Sequence, residues 1–211
     1  SPHFIEKNFK YNIQKKEYIW LKKILNNFKI NKLVYLSSPS IYYKKSSIGK
    51  VKKCCEDLII KNKKKINYYQ IWRPYNLIGK NKYISDHFYS IAYKKIFIEK
   101  KKSFTFFGSA YDKRGYSHVD DFVKILYKHF KKNKSFIIEY GNKNLLSTTE
   151  LIKIYNKQNI KKFNKIFTPI FKKNEINISM VKNNKNSIYS HRSSKSVINK
   201  YLIEMLNEKK M

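Results

Sequence analysis

The sequence predicts an α/β fold: a doubly wound parallel sheet carrying a small α+β annex. Three observations lead there. Leu33 to Leu36 (LVYL) is an uncharged apolar run with β-branched and aromatic members, the pattern of a strand buried on both faces. Ile66 to Gly79 (INYYQIWRPYNLIG) holds a second apolar strand, and a lysine-rich helix candidate lies between the two, which makes one right-handed βαβ crossover. Both strands end in polar and turn-forming residues: Ser37, Ser38 and Pro39 after the first, Arg73, Pro74, Asn76 and Gly79 after the second. In an open α/β sheet those ends fall on the edge where ligands bind.

The remaining elements follow in order. Asn12 to Asn27 places Ile13, Tyr18, Ile19, Leu21 and Leu25 at helical spacing, so an amphipathic helix precedes the first strand. Ile84 to Ile98 predicts a helix capped by Ser85 or Asp86. Phe104 to Gly108 predicts a short strand. His118, Val119, Asp120 and Asp121 open a helix continuing over Phe122 to Phe130, with aspartate as the cap and His118 as a structural contact. Ser135 to Tyr140 predicts a strand ending at Gly141. Ser147 to Glu150 has the spacing of a capping box, and Ser193 to Leu206 predicts a terminal helix. Lys157 to Lys185 carries no readable period.

The chain has 211 residues and a formal net charge of +33. Almost all the positive charge is lysine; arginine occurs only at 73, 114 and 192. The lysines are scattered rather than gathered in a tract, alongside abundant Ile, Asn, Tyr and Phe. That composition argues against nucleic acid as a partner, since base and phosphate readers favour arginine. No apolar run is long enough to span a membrane, and SPHFIEKNFK has no apolar block of the kind a signal peptide needs. Cys54 and Cys55 are neighbours on a helix candidate and poorly placed to bridge each other, so a reducing, cytoplasmic setting is expected. No Cys/His spacing predicts a metal site.

Three segments carry a resemblance: V-Y-L-S-S-P-S-I-Y (residues 34–42), W-R-P-Y-N-L-I-G (72–79) and R-G-Y-S-H-V-D-D (114–121). In this order and spacing they resemble the extended short-chain dehydrogenase/reductase family, nearest the NAD-dependent sugar-nucleotide epimerases and dehydratases. The resemblance covers Phe9 to Tyr155. It implies that residues 1–79 are the later part of a Rossmann-like NAD(P)-binding domain, and that 80–211 form a substrate annex interleaved with further Rossmann elements near 116–141. It implies NAD or NADP as cofactor, a nucleoside-diphosphate sugar as substrate, and a homodimer paired through the Tyr-Lys helix. The lysines of that helix (Lys44, Lys45, Lys50, Lys52, Lys53) would repel across such a face.

The resemblance also implies residue roles. Ser38 is the strand-end catalytic and substrate-facing hydroxyl, and Ser37 lies beside the cofactor. Lys50 is the lysine of the family's Y-x-x-S-K-x-x-x-E helix, serving both chemistry and cofactor, with Glu56 nearby. Pro74 and Tyr75 line the nicotinamide. Asn76 and Arg114 meet the substrate diphosphate, a role that suits a guanidinium fork.

The departures are as informative. No glycine-rich phosphate-binding turn occurs in the sequence, so it reads as N-terminally truncated relative to the family. Four residues before Lys50 stands Ser46, which cannot ionise near neutrality as a phenol can; Tyr43 is a weak substitute. The aspartate that follows the arginine in the family is Gly115 here. The expectation is an epimerase/dehydratase-like protein, impaired or incomplete as this chain. The alternatives are a non-catalytic sugar-nucleotide-binding relic and, behind it, a lysine-driven polyanion binder.

Overall fold

A computed structural model describes residues 11–43, 46–80, 87–171, 178–179 and 186–207, with the backbone only at 11–14 and 179. Helix α1 (Tyr11–Asn27) leads into β1 (Ile30–Leu36), a 3-10 turn (Pro39–Tyr42), α2 (Ser47–Lys61) and β2 (Ile66–Pro74). Then come β3 (Leu77–Ile78), α3 (Phe88–Tyr93), β4 (Ser103–Phe106), β5 (Lys113–Gly115), β6 (Ser117–His118) and α4 (Val119–Phe130). The chain closes with β7 (Phe136–Gly141), β8 (Leu145–Ser147), α5 (Thr148–Phe163), β9 (Thr168–Phe171), β10 (Ile178–Ser179), β11 (Ser187–Tyr189) and α6 (Ser194–Asn207).

The main sheet has the order β1-β2-β7-β11, and every pairing is parallel. Leu36 lies opposite Trp72 and Pro74 opposite Tyr140, so the polar strand ends do open on one edge. Alternation along β2 explains the two-faced burial. Ile71 points into a core with Leu21 and Leu25 of α1 and with Cys55 and Ile59 of α2. Trp72 points the other way, against Phe122 of α4 and Tyr140. Helices therefore cover both faces, as a parallel sheet requires. Trp72 is fully buried, and the rings of Phe122, His129 and Phe136 meet it edge-on at 5.4–5.8 Å.

A third core forms the annex: Ala92, Tyr93, Ile96 and Phe97 pack with Leu151, Tyr155, Val197, Tyr201 and Leu202. Small sheets surround it, in the orders β10-β5-β8, β3-β6 and β4-β9. The sequence-predicted helix over Ile84 to Ile98 is shorter at its start. It begins at Phe88 and passes into a π-helical turn at Lys94–Ile98, while Ser85 and Asp86 lie outside the described residues. The α4 cap is also not an aspartate: His118 accepts from the Asp120 amide, leaving Asp120 and Asp121 in the first turn. The capping box at Ser147 and Glu150 is present in full. Of the stretch after Lys157, the described residues form the end of α5, β9 and β10. No described helix is long and apolar enough to cross a membrane.

Candidate functional site

Two layers of side chains meet at the carboxyl ends of β1, β2 and β7. The lower layer is a buried ionic network. Arg73, at the end of β2, holds Glu56 of α2 with both prongs, Nε to Oε1 at 2.9 Å and Nη2 to Oε2 at 2.6 Å. The Ser37 hydroxyl donates to the same carboxylate. Arg73 also donates from Nη1 to the Tyr42 hydroxyl at 2.7 Å, and Tyr42 and Tyr75 both donate to Glu139 of β7. Burial, and secondarily the bond to Glu139, push the Tyr42 phenol up to about 12, despite Arg73 beside it. Burial works against the charge on Arg73, but the bonds and charge of Glu56 outweigh it and its pKa is raised.

Above this layer lies a cavity of about 320 Å³, lined by Ser38, Pro39, Pro74, Asn76, Leu77, His87, Phe88, Tyr89, Arg114 and Tyr116. Each lining group is set by local structure. Ser38 caps the 3-10 turn, its Oγ accepting from the Ser40 amide at 3.2 Å. Asn76 has φ of 38°, a left-handed conformation that asparagine tolerates better than most residues. Its Nδ2 donates to the Gly115 carbonyl at 3.0 Å, tying the strand-end loop to the segment that carries Arg114. Gly115 lets β5 pass close to Asn142, because a Cβ there would lie 2.1 Å from the Asn142 carbonyl oxygen. That contact leaves no room for the aspartate the resemblance implies after Arg114. Burial holds the Tyr116 phenol at about 12.

Arg114 is half-buried and also borders a narrow crevice lined by Phe88, Phe106, Phe107 and Phe171 together with Ser109, Asp112 and Thr148. The other two arginines are occupied, Arg73 by Glu56 and Arg192 by Asp121 at 3.3 Å. Among the described residues no carboxylate pairs with Arg114.

The structure thus gathers Ser38, Pro74, Asn76 and Arg114 around one cavity. The other expected site residues lie elsewhere. Ser37 belongs to the buried network. Tyr75 is 3% exposed, with its hydroxyl on Glu139 rather than at the cavity wall. Ser46 is the buried N-cap of α2, accepting from the Gly49 amide at 3.0 Å. Lys50 and Tyr43 are exposed. The lysine of α2 that reaches the end of β1 is Lys52, whose Nζ donates to the Leu36 carbonyl at 2.9 Å and pairs with Glu17 at 2.7 Å. Its signal was present in the sequence: counting K-x-x-x-E back from Glu56 lands on Lys52, and puts Ile48 where the family has tyrosine. The aromatic wall of His87, Phe88, Tyr89 and Tyr116 left no such signal, because residues distant in sequence build it.

No protein-family model matches the sequence, and no curated protein matches it by sequence. Solved structures do match in fold. One is the UDP-glucuronic acid 4-epimerase from Bacillus cereus in complex with NAD, with a TM-score of 0.69 and 20% identity over 89% of this chain and 66% of that one. Another is the UDP-glucose 4-epimerase from Thermotoga maritima with UDP-glucose, with a TM-score of 0.68 and 15% identity over 96% and 75%. A third is the Helicobacter pylori ADP-L-glycero-D-manno-heptose-6-epimerase, with a TM-score of 0.63 and 16% identity over 83% and 59%. The chain spans 66% and 59% of the length of the first and third of these structures. A parallel sheet covered by helices on both faces, with its annex at the carboxyl ends of the strands, gives this chain the Rossmann-like fold of the nucleotide-sugar epimerases.

Proposed function

We propose that this chain binds a nucleoside-diphosphate sugar in the Arg114 cavity, as the substrate-holding portion of an NAD-dependent epimerase or dehydratase. The observation that carries the reading is the pairing of the arginines. Arg73 and Arg192 each have a carboxylate, whereas Arg114 has none among the described residues and faces the 320 Å³ space. A guanidinium without a partner at a cavity wall is suited to a two-pronged contact with a diphosphate. Ser38 and Asn76 add polar edges, and the rings of Phe88, Tyr89 and Tyr116 add apolar walls for a sugar or base. The similar folds held UDP-glucose or NAD, which supports the same ligand classes here.

NAD is the cofactor the resemblance implies, and Pro74, which the resemblance sets beside the nicotinamide, borders the cavity. The Ser37 hydroxyl is committed to Glu56, Tyr75 is buried, and the sequence holds no glycine-rich turn for the pyrophosphate. No hydride step follows from these residues. Ile48 offers no proton at the family's tyrosine position, and Tyr42, with its phenol near 12, is a poor acid–base group at neutral pH.

The test is calorimetric titration of UDP-glucose and dTDP-glucose into wild type and Arg114→Ala. A charged hydrogen bond contributes about 1.5–3 kcal/mol, so the variant should bind about 10- to 150-fold more weakly. If wild type binds neither ligand, or the variant binds as well as wild type, the reading fails.

A further inference from the structure

We propose that His87 is a second anion-binding residue of the Arg114 cavity, and that binding of the diphosphate draws a proton onto its imidazole. The inference rests on the nucleotide-sugar reading and deepens it. His87 borders the same cavity as Arg114, Asn76 and Ser38. Its ring lies nearly parallel to that of Tyr89, with centroids 5.9 Å apart and planes at 12°. Tyr89 in turn meets Tyr116 edge-on at 6.3 Å and Tyr201 at 5.3 Å. Tyr201 is fully buried in the annex core, so the imidazole rests on an aromatic ladder rooted in packed structure.

Among the described residues that line the cavity, His87 is the group whose charge can change near neutrality. Arg114 stays charged throughout. The Tyr116 phenol is held near 12 by burial. Ser38, Pro39, Pro74, Asn76, Leu77 and Phe88 bring no titrating group. An imidazole ordinarily changes charge near 6.5. A diphosphate bound beside it favours the protonated imidazole, because opposite charges nearby favour the ionised form. A UDP-sugar has no phosphomonoester, so the ligand itself does not titrate in this range. Any pH dependence of its binding near neutrality then reports the protein.

The experiment is calorimetric titration of UDP-glucose between about pH 6 and 8, in buffers of different ionisation enthalpy, with wild type, His87→Gln and Arg114→Ala. For wild type, affinity should rise up to about tenfold from pH 8 to pH 6, since one unit of pKa shift corresponds to a factor of ten. Binding should take up as much as one proton. His87→Gln should still bind but lose both the pH dependence and the proton uptake. Arg114→Ala should bind weakly at every pH. If wild type binds equally at both ends of the range without proton exchange while Arg114→Ala loses affinity, the His87 inference is overturned and the nucleotide-sugar reading stands. Persistence of the pH dependence in His87→Gln would overturn it too. If wild type does not bind UDP-glucose at any pH, both ideas fall together.

Discussion

Arg73 and Glu56 form a two-pronged ion pair at 2.9 and 2.6 Å, with the carboxylate side chain only 1% exposed. The pair joins the end of β2 to the middle of α2. It also orients Ser37 and Tyr42, which touch the same two side chains.

Removing one partner of such a pair strands the other charge in the interior. Glu56→Ala should therefore lower stability by about 3–5 kcal/mol, read from the urea midpoint at constant m-value. A loss below about 1 kcal/mol would mean that water reaches Arg73 and that the pair behaves like a surface one.

The two lysines of α2 should separate cleanly. Lys50 is exposed, so Lys50→Ala should stay within about 0.5 kcal/mol of wild type. Lys52 anchors the Leu36 carbonyl, pairs with Glu17 and lies over the Tyr35 ring at 5.0 Å. Lys52→Ala should cost about 1–2 kcal/mol, the sum of a partly buried charged hydrogen bond and its packing. Chemical denaturation of the two variants side by side decides the matter; equal effects would remove the distinction.

Gly49 lies in the first turn of α2, where a Cβ would sit 2.1 Å from the Ser40 carbonyl oxygen. Alanine gains about 1 kcal/mol in helix propensity over glycine. The clash is with backbone and cannot be relieved by a rotamer change, so overpacking of about 1–3 kcal/mol should win. Gly49→Ala should melt lower than wild type, and a rise in Tm would show that the 3-10 turn moves aside freely.

Glu150 and Asp120 contribute to the acid limb of stability, as does Glu99, held below its ordinary value by the bond from Lys95. The Ser147 backbone N–H, 2.7 Å from Oε2, holds Glu150 below its ordinary value, and the Lys200 ammonium does the same for Asp120 at 2.9 Å. Folded pKa values below the unfolded ones mean that the stabilisation is present above about pH 4 and is lost as pH falls through the folded values. Denaturation midpoints should be flat down to about pH 5 and then fall. Ser147→Ala should lower the plateau by about 1 kcal/mol through the lost cap. A plateau that extends unchanged to pH 3 would contradict the assignment.

Much of the fold was legible because it depends on local pattern. The uncharged run at Leu33 to Leu36, the helical spacing of Tyr18, Leu21 and Leu25, and the capping box at Ser147 each state a backbone preference within a few residues. Where reading failed, competition between elements was the cause. The helix expected from Ile84 begins at Phe88 and ends in a π turn, and the α4 cap is His118, whose ring accepts the amide bond that aspartate was expected to take. The expected family lysine, Lys50, stands four residues after Ser46, whereas counting K-x-x-x-E back from Glu56 gives Lys52, a different register on the same helix.

By itself, then, the sequence determined the parallel sheet and the edge on which its polar strand ends open, while the family resemblance put forward Ser38, Pro74, Asn76 and Arg114, which border one cavity. Apolar periodicity and turn chemistry act over short stretches and can be read there. Only the tertiary structure decided that Ser37 and Tyr75 are absorbed into a buried network, that Arg114 lacks a carboxylate partner among the described residues, and that His87, Tyr89 and Tyr116 wall the cavity. Those facts depend on which distant side chains share one small volume and on which charges find each other there, and no local pattern encodes either.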